Sequence, residues 1–251
     1  MISHSGAVVR LKDLAVVHPD TKQVLPVVEF SAQTAEIIAL LGPDTLPVRK
    51  YLRNMAAIEY PENGEVEIMG LSTHVLDRLS YKELRTRIGY VIGDSSLLPI
   101  YNGLMNVMLP ALYHHPERSF STVSRFARTL LEELDCNFDI QLMPHHMSSF
   151  QQRQIQLARA LILEPDVVFL EEPFYDLASD ERRTFAQKVL KMQDRVHSKC
   201  IILATNYLNF VKQYVDRLIF VGSGSVEVFS GWDAFSSSRN PEIERYLDAN
   251  R

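Results

Sequence analysis

The stretch EIIALLGPDTLPVRKYL at residues 36–52 joins an apolar run to a segment with helical spacing. The run EIIALLG is typical of a buried strand, and Gly42 with Pro43 marks a turn after it. The stretch therefore predicts a strand, a tight turn and a helix, which is the repeating unit of an α/β fold. Such turns hold phosphate groups in many proteins, because the N–H groups at the start of a helix attract anions. This turn has a single glycine and contains proline and valine, so it is an open question whether it binds an anion.

The remainder of the chain repeats the alternation of strands and helices. AVVRLKDLAVVHP and VLPVVEFSAQ alternate apolar and polar residues around a polar turn, so they predict an antiparallel pair of strands. Residues 101–163 have helical patterns throughout, and strand patterns return in DVVFL, CIILAT, RLIFVG and SVEVFSG. Apolar strands separated by helices predict a parallel sheet that is covered by those helices.

The composition limits the classes of function. The chain has 251 residues, of which 46% are hydrophobic and 23% charged, and its formal net charge is -5. Because the chain is acidic and has no run of Lys or Arg, we expect no nucleic-acid partner. No apolar run reaches the length of about 20 residues that spans a membrane, so we expect a cytoplasmic protein unless a partner brings it to a membrane. Cys136 and Cys200 lack the spacing of a metal site and are interpreted as buried core residues.

Taken in order, these segments resemble the nucleotide-binding (ATPase) subunit of an ABC transporter over almost the whole chain. The segments that carry the resemblance are IIALLGPDTLPVRKYLRNMAAIEYPENGEVEIMG, IGYVIGDSSLLPIYNGLMNVMLP, MSSFQQRQIQLARALILEPDVVFLEEPF and CIILATNYLNFVKQYVDRLIFVGSGSV. The sequence EEPF and the tail FSSSRNPEIERYLDAN are most similar to ATPase subunits of the MCE/Mla type, which the resemblance implies move phospholipid between membranes.

The resemblance implies a fold and a division of the chain. The fold is a P-loop NTPase-like α/β domain with a parallel core sheet, an N-terminal antiparallel β subdomain and an inserted helical subdomain. The core, with its β subdomain, is expected at residues 1–93 and 164–251, and the helical subdomain at residues 94–163.

The family's phosphate loop follows the pattern GxxxxGK[ST], in which glycine N–H groups and lysine hold the phosphates and Ser/Thr binds magnesium. The resemblance puts Gly42 at the first glycine and Asp44 inside the loop. Pro47 then stands at the second glycine, Val48 at the lysine and Arg49 at the Ser/Thr. Proline removes a backbone donor, and valine offers nothing to an anion. We therefore expect no resident metal, and ATP, without its normal magnesium site, is the cofactor to be considered.

Two neighbouring cations give this loop two interpretations. In one, Arg49 or Lys50 forms an ion pair with a phosphate group and holds an anion without metal. In the other, both are solvated charges in the first turn of a helix. His18 takes the position of the aromatic residue that stacks on adenine in the family, although a histidine beside Pro19 is also typical of a turn.

The catalytic positions of the family show further differences. Gly93 replaces the glutamine that contacts magnesium, and Glu171 replaces the metal-binding aspartate. Glu172 matches the carboxylate that polarises the attacking water, and it is the catalytic group that this chain retains. Its alternative interpretation is a structural cap for the turn after the strand.

The positions that contact the γ-phosphate or the opposite subunit are also altered. Asn206 replaces the switch histidine, and Ala178 replaces an aspartate used between subunits. The signature segment reads MSSFQ, in which Ser148 keeps the hydroxyl while Phe150 puts a ring where a glycine allows close approach. Because catalysis needs these groups jointly, we expect hydrolysis near background.

These observations predict a catalytically degenerate ABC nucleotide-binding-domain homologue, acting as a non-hydrolysing structural or regulatory subunit of a membrane transporter for lipids. We expect it to bind an inner-membrane permease through the helical subdomain near Asp94, Leu97, Leu98 and Tyr101, on the cytoplasmic face of that membrane. It would form a homodimer, or a heterodimer with an intact ABC ATPase.

Two alternatives remain open. One is an ABC ATPase whose unconventional phosphate site binds or slowly hydrolyses ATP to drive transport. The other is a soluble regulatory protein without a permease.

Overall fold

The computed structural model describes residues 6–25, 28–93, 96–195 and 199–250. The chain forms two compact units, one made of Met1–Glu83 with Ser198–Arg251 and the other of Leu84–His197. Within the described part of the chain, no helix combines the length and the apolar composition needed to cross a bilayer. The strands are β1 (Val9–Ala15), β2 (Val28–Ala32), β3 (Ile37–Leu41), β4 (Asn63–Ile68), β5 (Leu71–Ser72), β6 (Ile88–Val91), β7 (Val167–Glu171), β8 (Cys200–Ala204), β9 (Arg217–Val221) and β10 (Val226–Phe229). The α-helices are α1 (Thr45–Met55), α2 (Arg78–Thr86), α3 (Gly103–His114), α4 (Phe120–Glu133), α5 (Ser149–Leu161), α6 (Ser179–Arg195), α7 (Leu208–Tyr214), α8 (Trp232–Ser236) and α9 (Pro241–Ala249).

The first unit contains an antiparallel sheet in the order β2-β1-β4-β5. Val9 of β1 pairs with Ala32 of β2 on one side and with Ile68 of β4 on the other. The predicted antiparallel pairing of the two N-terminal segments is therefore present. The register between β1 and β4 shifts after Lys12, where Asp13 has a φ of 49°. This shift is a β-bulge, which bends the strand locally.

The first unit also contains the strands that the sequence predicts to be parallel. β3 lies between two parallel neighbours, β8 and β9, and β10 pairs with β9 in the antiparallel direction. All five residues of β3 and all five of β8 are buried, as their continuous apolar runs predict. The helix α1 packs on β3 and β8. Because parallel strands end at the same edge of a sheet, the turns after β3, β8 and β9 share one edge.

The second unit combines a parallel pair of strands with the helical block. β6 and β7 pair with Ile88 opposite Val167, while α3 packs on α4 and α5, and α5 packs on β6. The helical character expected for residues 101–163 is observed in α3, α4 and α5. The unit is longer than the expected subdomain of residues 94–163, because β6, β7 and α6 belong to it. The subdomain boundaries proposed from sequence thus remain a prediction.

Both cysteines are free thiols. Cys200 is buried in β8, as expected, whereas Cys136 is only half-buried. Burial raises the pKa of the Cys136 thiol to about 11. The thiol therefore stays protonated near neutral pH and is a poor nucleophile.

The bulge makes Gly64 a position that does not tolerate a methyl group. A Cβ atom on Gly64 would lie 2.2 Å from the Asp13 carbonyl oxygen, whereas a Cβ atom on Gly70 would meet nothing within 4 Å. Both glycines have a positive φ, 86° and 78°. Because a side chain disfavours this left-handed backbone conformation, substitution of either glycine costs about 1–2 kcal/mol of stability. We expect Gly70→Ala to lower the free energy of unfolding by that amount. Gly64→Ala should lower it by about 1–3 kcal/mol more, because the methyl group overpacks the bulge. Urea denaturation of the two variants measures the difference, and equal losses would contradict the proposed clash.

Candidate functional site

The turn after β3 is closed by the side chain of Asp44. β3 ends at Leu41 and α1 begins at Thr45. Asp44 is the N-cap of α1, and its Oδ1 atom accepts a hydrogen bond of 2.9 Å from the N–H of Leu46. Pro47, the next residue, has no N–H. A carboxylate of the chain itself therefore lies at the N-terminus of the helix, the position at which a helix attracts an anion.

The second oxygen of Asp44 is held by His18. The distance from His18 Nε2 to Asp44 Oδ2 is 2.8 Å. His18 Nδ1 accepts hydrogen bonds from the N–H groups of Asp20 and Thr21, both at 3.2 Å. Because Nδ1 accepts, a neutral ring carries its proton on Nε2, which donates to Asp44. These contacts make His18 a turn residue that fixes the orientation of the Asp44 carboxylate.

Val48 belongs to the core of the first unit. It is 2% exposed, and Pro47 beside it is also buried. A Cβ atom on Gly42 would lie 2.8 Å from Val48 Cγ2 and 2.5 Å from the Val221 carbonyl oxygen, so only glycine allows this close packing. The residues at 42–50 do not fit a magnesium-bound triphosphate. In the alignment that the family resemblance implies, the core residue Val48 stands at the lysine position and Arg49 at the hydroxyl position, and the Asp44 carboxylate lies at the helix start.

Lys50 has partners within the first unit. Its Nζ atom donates to Glu62 Oε1 at 2.7 Å and to the carbonyl oxygen of Val17 at 3.1 Å. Burial acts to raise the pKa of Glu62, but the hydrogen bond of Lys50, backbone hydrogen bonds and the charge of Lys50 together outweigh this effect, and the pKa is lowered. Arg49, the other cation considered for an anion, is half-buried in α1.

Glu171 ends β7 with a carboxylate that is buried and hydrogen bonded. It is 0% exposed and accepts a hydrogen bond of 2.6 Å from the Tyr90 hydroxyl. The Tyr90 ring stacks on Phe169 with 6.3 Å between the ring centroids. The described part of the chain has no group of three or more His, Cys, Asp or Glu side chains that could hold a metal ion. The Glu171 carboxylate is held inside the second unit by the Tyr90 hydroxyl.

Glu172 follows directly and is half-buried. Its backbone is left-handed, with a φ of 44°. Backbone strain of this kind is often found at functional sites. Eight other described non-glycine residues also have a positive φ, so the conformation does not distinguish Glu172 from ordinary turn residues.

Gly93 lies close to the end of β7. A Cβ atom on Gly93 would lie 3.1 Å from the Glu171 carbonyl oxygen, so a glutamine here requires the neighbouring backbone to shift. Arg153 of α5 is 7% exposed and donates to the carbonyl oxygens of Ile92 and Gly93 at 3.0 and 2.9 Å. Arg153 is a buried residue that was not predicted from the sequence. The available signal was its spacing of four residues to the buried Leu157, which puts a cation on the apolar face of the helix.

Ser148 and Asn206 also have internal partners. Ser148 caps α5, where its Oγ accepts from the Gln151 N–H at 3.2 Å and the Gln151 side chain accepts from the Ser148 N–H at 2.9 Å. This reciprocal capping box satisfies two donors at the helix start. Asn206 Oδ1 accepts a hydrogen bond of 2.9 Å from the Tyr246 hydroxyl in α9. The side chains of both residues are therefore anchored within their own units.

Residues 96–101, here called the 96–101 loop, contain most of the predicted permease contacts. Leu97 is 6% exposed and belongs to the core, whereas Leu98 is 44% and Ile100 is 73% exposed. Tyr101 is half-buried, and Asp94 lies outside the described residues. The exposed apolar side chain that sequence analysis missed is Ile100, because periodicity does not resolve which residues of a loop face outward.

Hydrogen bonds fix the 96–101 loop. The side chain of Asn106 accepts from the N–H of Leu98 at 2.8 Å and donates to its carbonyl oxygen at 3.1 Å. Arg159 donates to the carbonyl and hydroxyl oxygens of Ser96 at 2.9 and 2.6 Å. The loop therefore presents its exposed apolar side chains in a defined conformation.

The strand–turn–helix of β3 and α1, the parallel strands and the helical block define an α/β domain of the ATP-binding-cassette type. The family described as ABC transporter matches residues 25–175, and the chain therefore belongs to this family. It is 29% identical over 205 residues to the uncharacterized ABC transporter ATP-binding protein YbbA of Escherichia coli (strain K12), covering 81% of this chain and 88% of YbbA. It is 27% identical over 205 residues to the uncharacterized ABC transporter ATP-binding protein MJ0796 of Methanocaldococcus jannaschii, covering 80% of this chain and 86% of MJ0796.

Solved structures show the same fold. A dimeric post-hydrolysis state of the ATP-binding cassette MJ0796, bound to ADP and Pi, matches with a TM-score of 0.79 at 23% identity, covering 88% of this chain and 98% of that chain. The structure of cbiO1 from Clostridium perfringens, part of the ABC transporter complex cbiONQ, matches with a TM-score of 0.79 at 19% identity, covering 97% of this chain and 95% of that chain. The predicted fold class, an ABC nucleotide-binding domain, is therefore confirmed.

The cap at α1 can be tested by removing its carboxylate. Asp44→Ala eliminates the bonds to Leu46 and His18, and we expect it to lower the free energy of unfolding by about 1–2 kcal/mol. Asp20→Ala is the matched control, because the Asp20 side chain is exposed and should change stability by less than about 0.5 kcal/mol. Denaturant unfolding gives both values. Equal effects of the two variants would show that Asp44 does not stabilise the helix.

Proposed function

We propose that this ABC-family domain does not hydrolyse ATP and serves as a structural or regulatory subunit of a membrane transporter, with lipid as the transported class. The observation that supports this proposal is the packing and hydrogen bonding of the segment at residues 42–50. Val48 is packed against Gly42 in the core, and the Asp44 carboxylate caps the helix. A phosphate group brought to this helix start would meet a carboxylate instead of a lysine. The lipid assignment rests on the resemblance of EEPF and the C-terminal tail to MCE/Mla-type subunits.

The other family positions support the same proposal. Tyr90 holds Glu171 by a hydrogen bond, and the packing at Gly93 leaves little room for the glutamine of the family. Asn206 cannot carry the positive charge of a histidine. Loss of one electrostatic contact to a transition state typically costs about 2.7–4 kcal/mol, a factor of about 10²–10³ in rate. Several such losses together reduce hydrolysis to background.

The alternative function is an ATPase with an unconventional phosphate site. It requires Arg49 or Lys50 to replace both lysine and metal, and Glu172 to act as the base. Lys50 would have to leave Glu62 and the Val17 carbonyl oxygen to reach a phosphate group. The structure therefore favours the non-hydrolysing subunit.

Nucleotide binding and turnover separate these functions. We expect a flat calorimetric titration of the purified chain with millimolar ATP, with and without magnesium, and phosphate release at background. The cassette MJ0796, whose solved structure contains ADP and Pi, is the positive control. Phosphate release that disappears in Glu172→Gln would establish the ATPase and overturn the proposal. Release that is unchanged in Glu172→Gln and separates from the chain on further purification comes from a contaminant, whereas release that stays with the chain also overturns the proposal.

The 96–101 loop is the proposed contact with the permease. It presents Leu98 and Ile100 in a conformation fixed by Asn106 and Arg159. A preformed apolar surface binds without the cost of ordering a flexible segment. The domain would then lie at the cytoplasmic face of the inner membrane through this partner, as a homodimer or paired with an intact ABC ATPase.

Charge substitution tests this contact. We expect Ile100→Asp to remove most of the protein from the membrane fraction when it is expressed with its gene neighbours, because a carboxylate would be buried at the interface. Val75→Asp, at a residue of the first unit that is 80% exposed, is the matched control and should remain in the membrane fraction. If the wild-type chain stays out of that fraction, the soluble regulatory alternative is supported instead. Recovery of a second protein with an intact phosphate loop would identify the heterodimer, and two copies of this chain with a permease would identify the homodimer.

A further inference from the structure

Two peptide groups lie between the end of β6 and the 96–101 loop, beyond the residues that pair in the sheet. The last pair of β6 and β7 joins Val91 to Leu170, and Ile92 and Gly93 follow it. Gly93 is buried. Because a buried carbonyl group without a donor costs stability, the carbonyl groups of this segment need donors from another element.

Arg153 of α5 supplies these donors. Its Nη1 atom donates to the Ile92 carbonyl oxygen at 3.0 Å, and its Nη2 atom donates to the Gly93 carbonyl oxygen at 2.9 Å. The residue is 7% exposed, and Nη1 also donates to Gln156 Oε1 at 3.0 Å. A planar guanidinium group serves two acceptors at once in a fixed geometry, which the ammonium group of a lysine does not.

The two hydrogen bonds of Arg153 lie on either side of the Gly93 Cα atom. The Ile92 carbonyl belongs to the peptide group before this atom, and the Gly93 carbonyl belongs to the peptide group after it. Together the bonds fix φ and ψ of Gly93. Glycine is the residue whose backbone is least restricted by its own side chain, so Arg153 provides a constraint that the sequence does not provide locally.

The same helix holds the chain again at the start of the 96–101 loop. Arg159 of α5 donates to the carbonyl and hydroxyl oxygens of Ser96 at 2.9 and 2.6 Å. The helix α5 packs on α3 and β6, and a capping box fixes its first turn. The direction in which the chain leaves β6 and the place where the loop begins are therefore both set by α5.

We infer that Arg153 is a positioning residue for the 96–101 loop. By fixing Gly93, it holds the exposed side chains of Leu98 and Ile100 in the orientation in which they contact a partner. The identity of that partner, a permease, rests on the proposed function. The effect of Arg153 on the loop is a property of the purified chain and is measured without any partner.

Hydrogen exchange of the purified full chain tests the positioning. Arg153→Met keeps an unbranched side chain and removes the donors. The reporter is the N–H of Leu98, which donates to Asn106 Oδ1 at 2.8 Å. We expect this N–H to exchange at least about tenfold faster in Arg153→Met without denaturant, because the loop opens locally more often.

Two control variants separate positioning from general stability. Val189→Ala removes two methyl groups from a residue of α6 that is 0% exposed. It should destabilise the second unit and leave the local exchange of Leu98 unchanged. Arg128→Met, at an exposed arginine of α4, should exchange like the wild type. Arg153→Lys keeps the charge without the planar group, so it should exchange at an intermediate rate, and it decides the question if Arg153→Met does not fold.

Recovery in the membrane fraction tests the consequence for binding. When the chain is expressed with its gene neighbours, Arg153→Met should lower the recovered fraction by about threefold or more, because the loop must then be ordered on binding. Val189→Ala and Arg128→Met should be recovered like the wild type.

The outcomes that contradict the inference are distinct from failure of the proposed function. Leu98 exchange that is unchanged in Arg153→Met, or that is equally fast in Val189→Ala, overturns the inference. Faster exchange together with full membrane recovery of Arg153→Met also overturns it, because the loop would bind without being positioned. If the wild-type chain is absent from the membrane fraction, the proposed function fails, and the exchange rates alone decide whether Arg153 positions the loop.

Discussion

The hydrogen bonds of the Asp44 carboxylate at the N-terminus of α1 determine the shape of the turn between β3 and α1. A helix start carries about half a positive charge and several N–H groups without intrahelical partners. In a phosphate-binding turn, the ligand supplies the negative charge and the acceptors. Here Asp44 supplies both, and His18 holds its second oxygen. The turn is therefore satisfied without a ligand, and α1 begins only three residues after Gly42.

Because α1 begins at Thr45, Val48 lies within the helix. In a helix that begins at Thr45, Val48 lies on the same face as Leu52 and Met55, which are 0% exposed. Val48 is thus part of the apolar stripe that packs on β3 and β8. A lysine at this position would bury an ammonium group in that stripe, at a cost of several kcal/mol. A lysine at position 48 would therefore conflict with this helix start, and introducing that one residue of the family pattern would not by itself create a phosphate loop.

The sequence predicted the fold well, because the signals for the fold are local. The continuous apolar runs of β3 and β8 predicted buried parallel strands, and the alternation in β1 and β2 predicted an antiparallel pair. The altered positions at Pro47 and Val48 were also visible in the order of residues. The partners of the site residues were not visible, because they depend on tertiary packing. Tyr90 and Glu171 are 81 residues apart, and Asn206 and Tyr246 are 40 apart.

The exposure of Leu97 and Leu98 also could not be predicted from the sequence, although the residue that decides it is close in the chain. The two residues are adjacent and chemically identical, yet one is 6% and the other 44% exposed. The difference arises because the Asn106 side chain binds both backbone groups of Leu98 and fixes which way the loop turns. An asparagine eight residues away has no periodic relation to the loop, so no pattern in the sequence predicts this contact.

Three polar side chains at positions where the family binds nucleotide have a hydrogen-bond partner within their own unit. Glu171 is bonded to Tyr90, Ser148 to Gln151, and Asn206 to Tyr246. Ser148 and Asn206 are exposed and can hydrogen bond to water, whereas Glu171 is 0% exposed, and a buried polar group left without a partner costs about 1–3 kcal/mol. The Tyr90 hydroxyl removes this cost for Glu171 without a ligand. This internal hydrogen bonding is compatible with the proposed subunit, which would support a transporter without driving it.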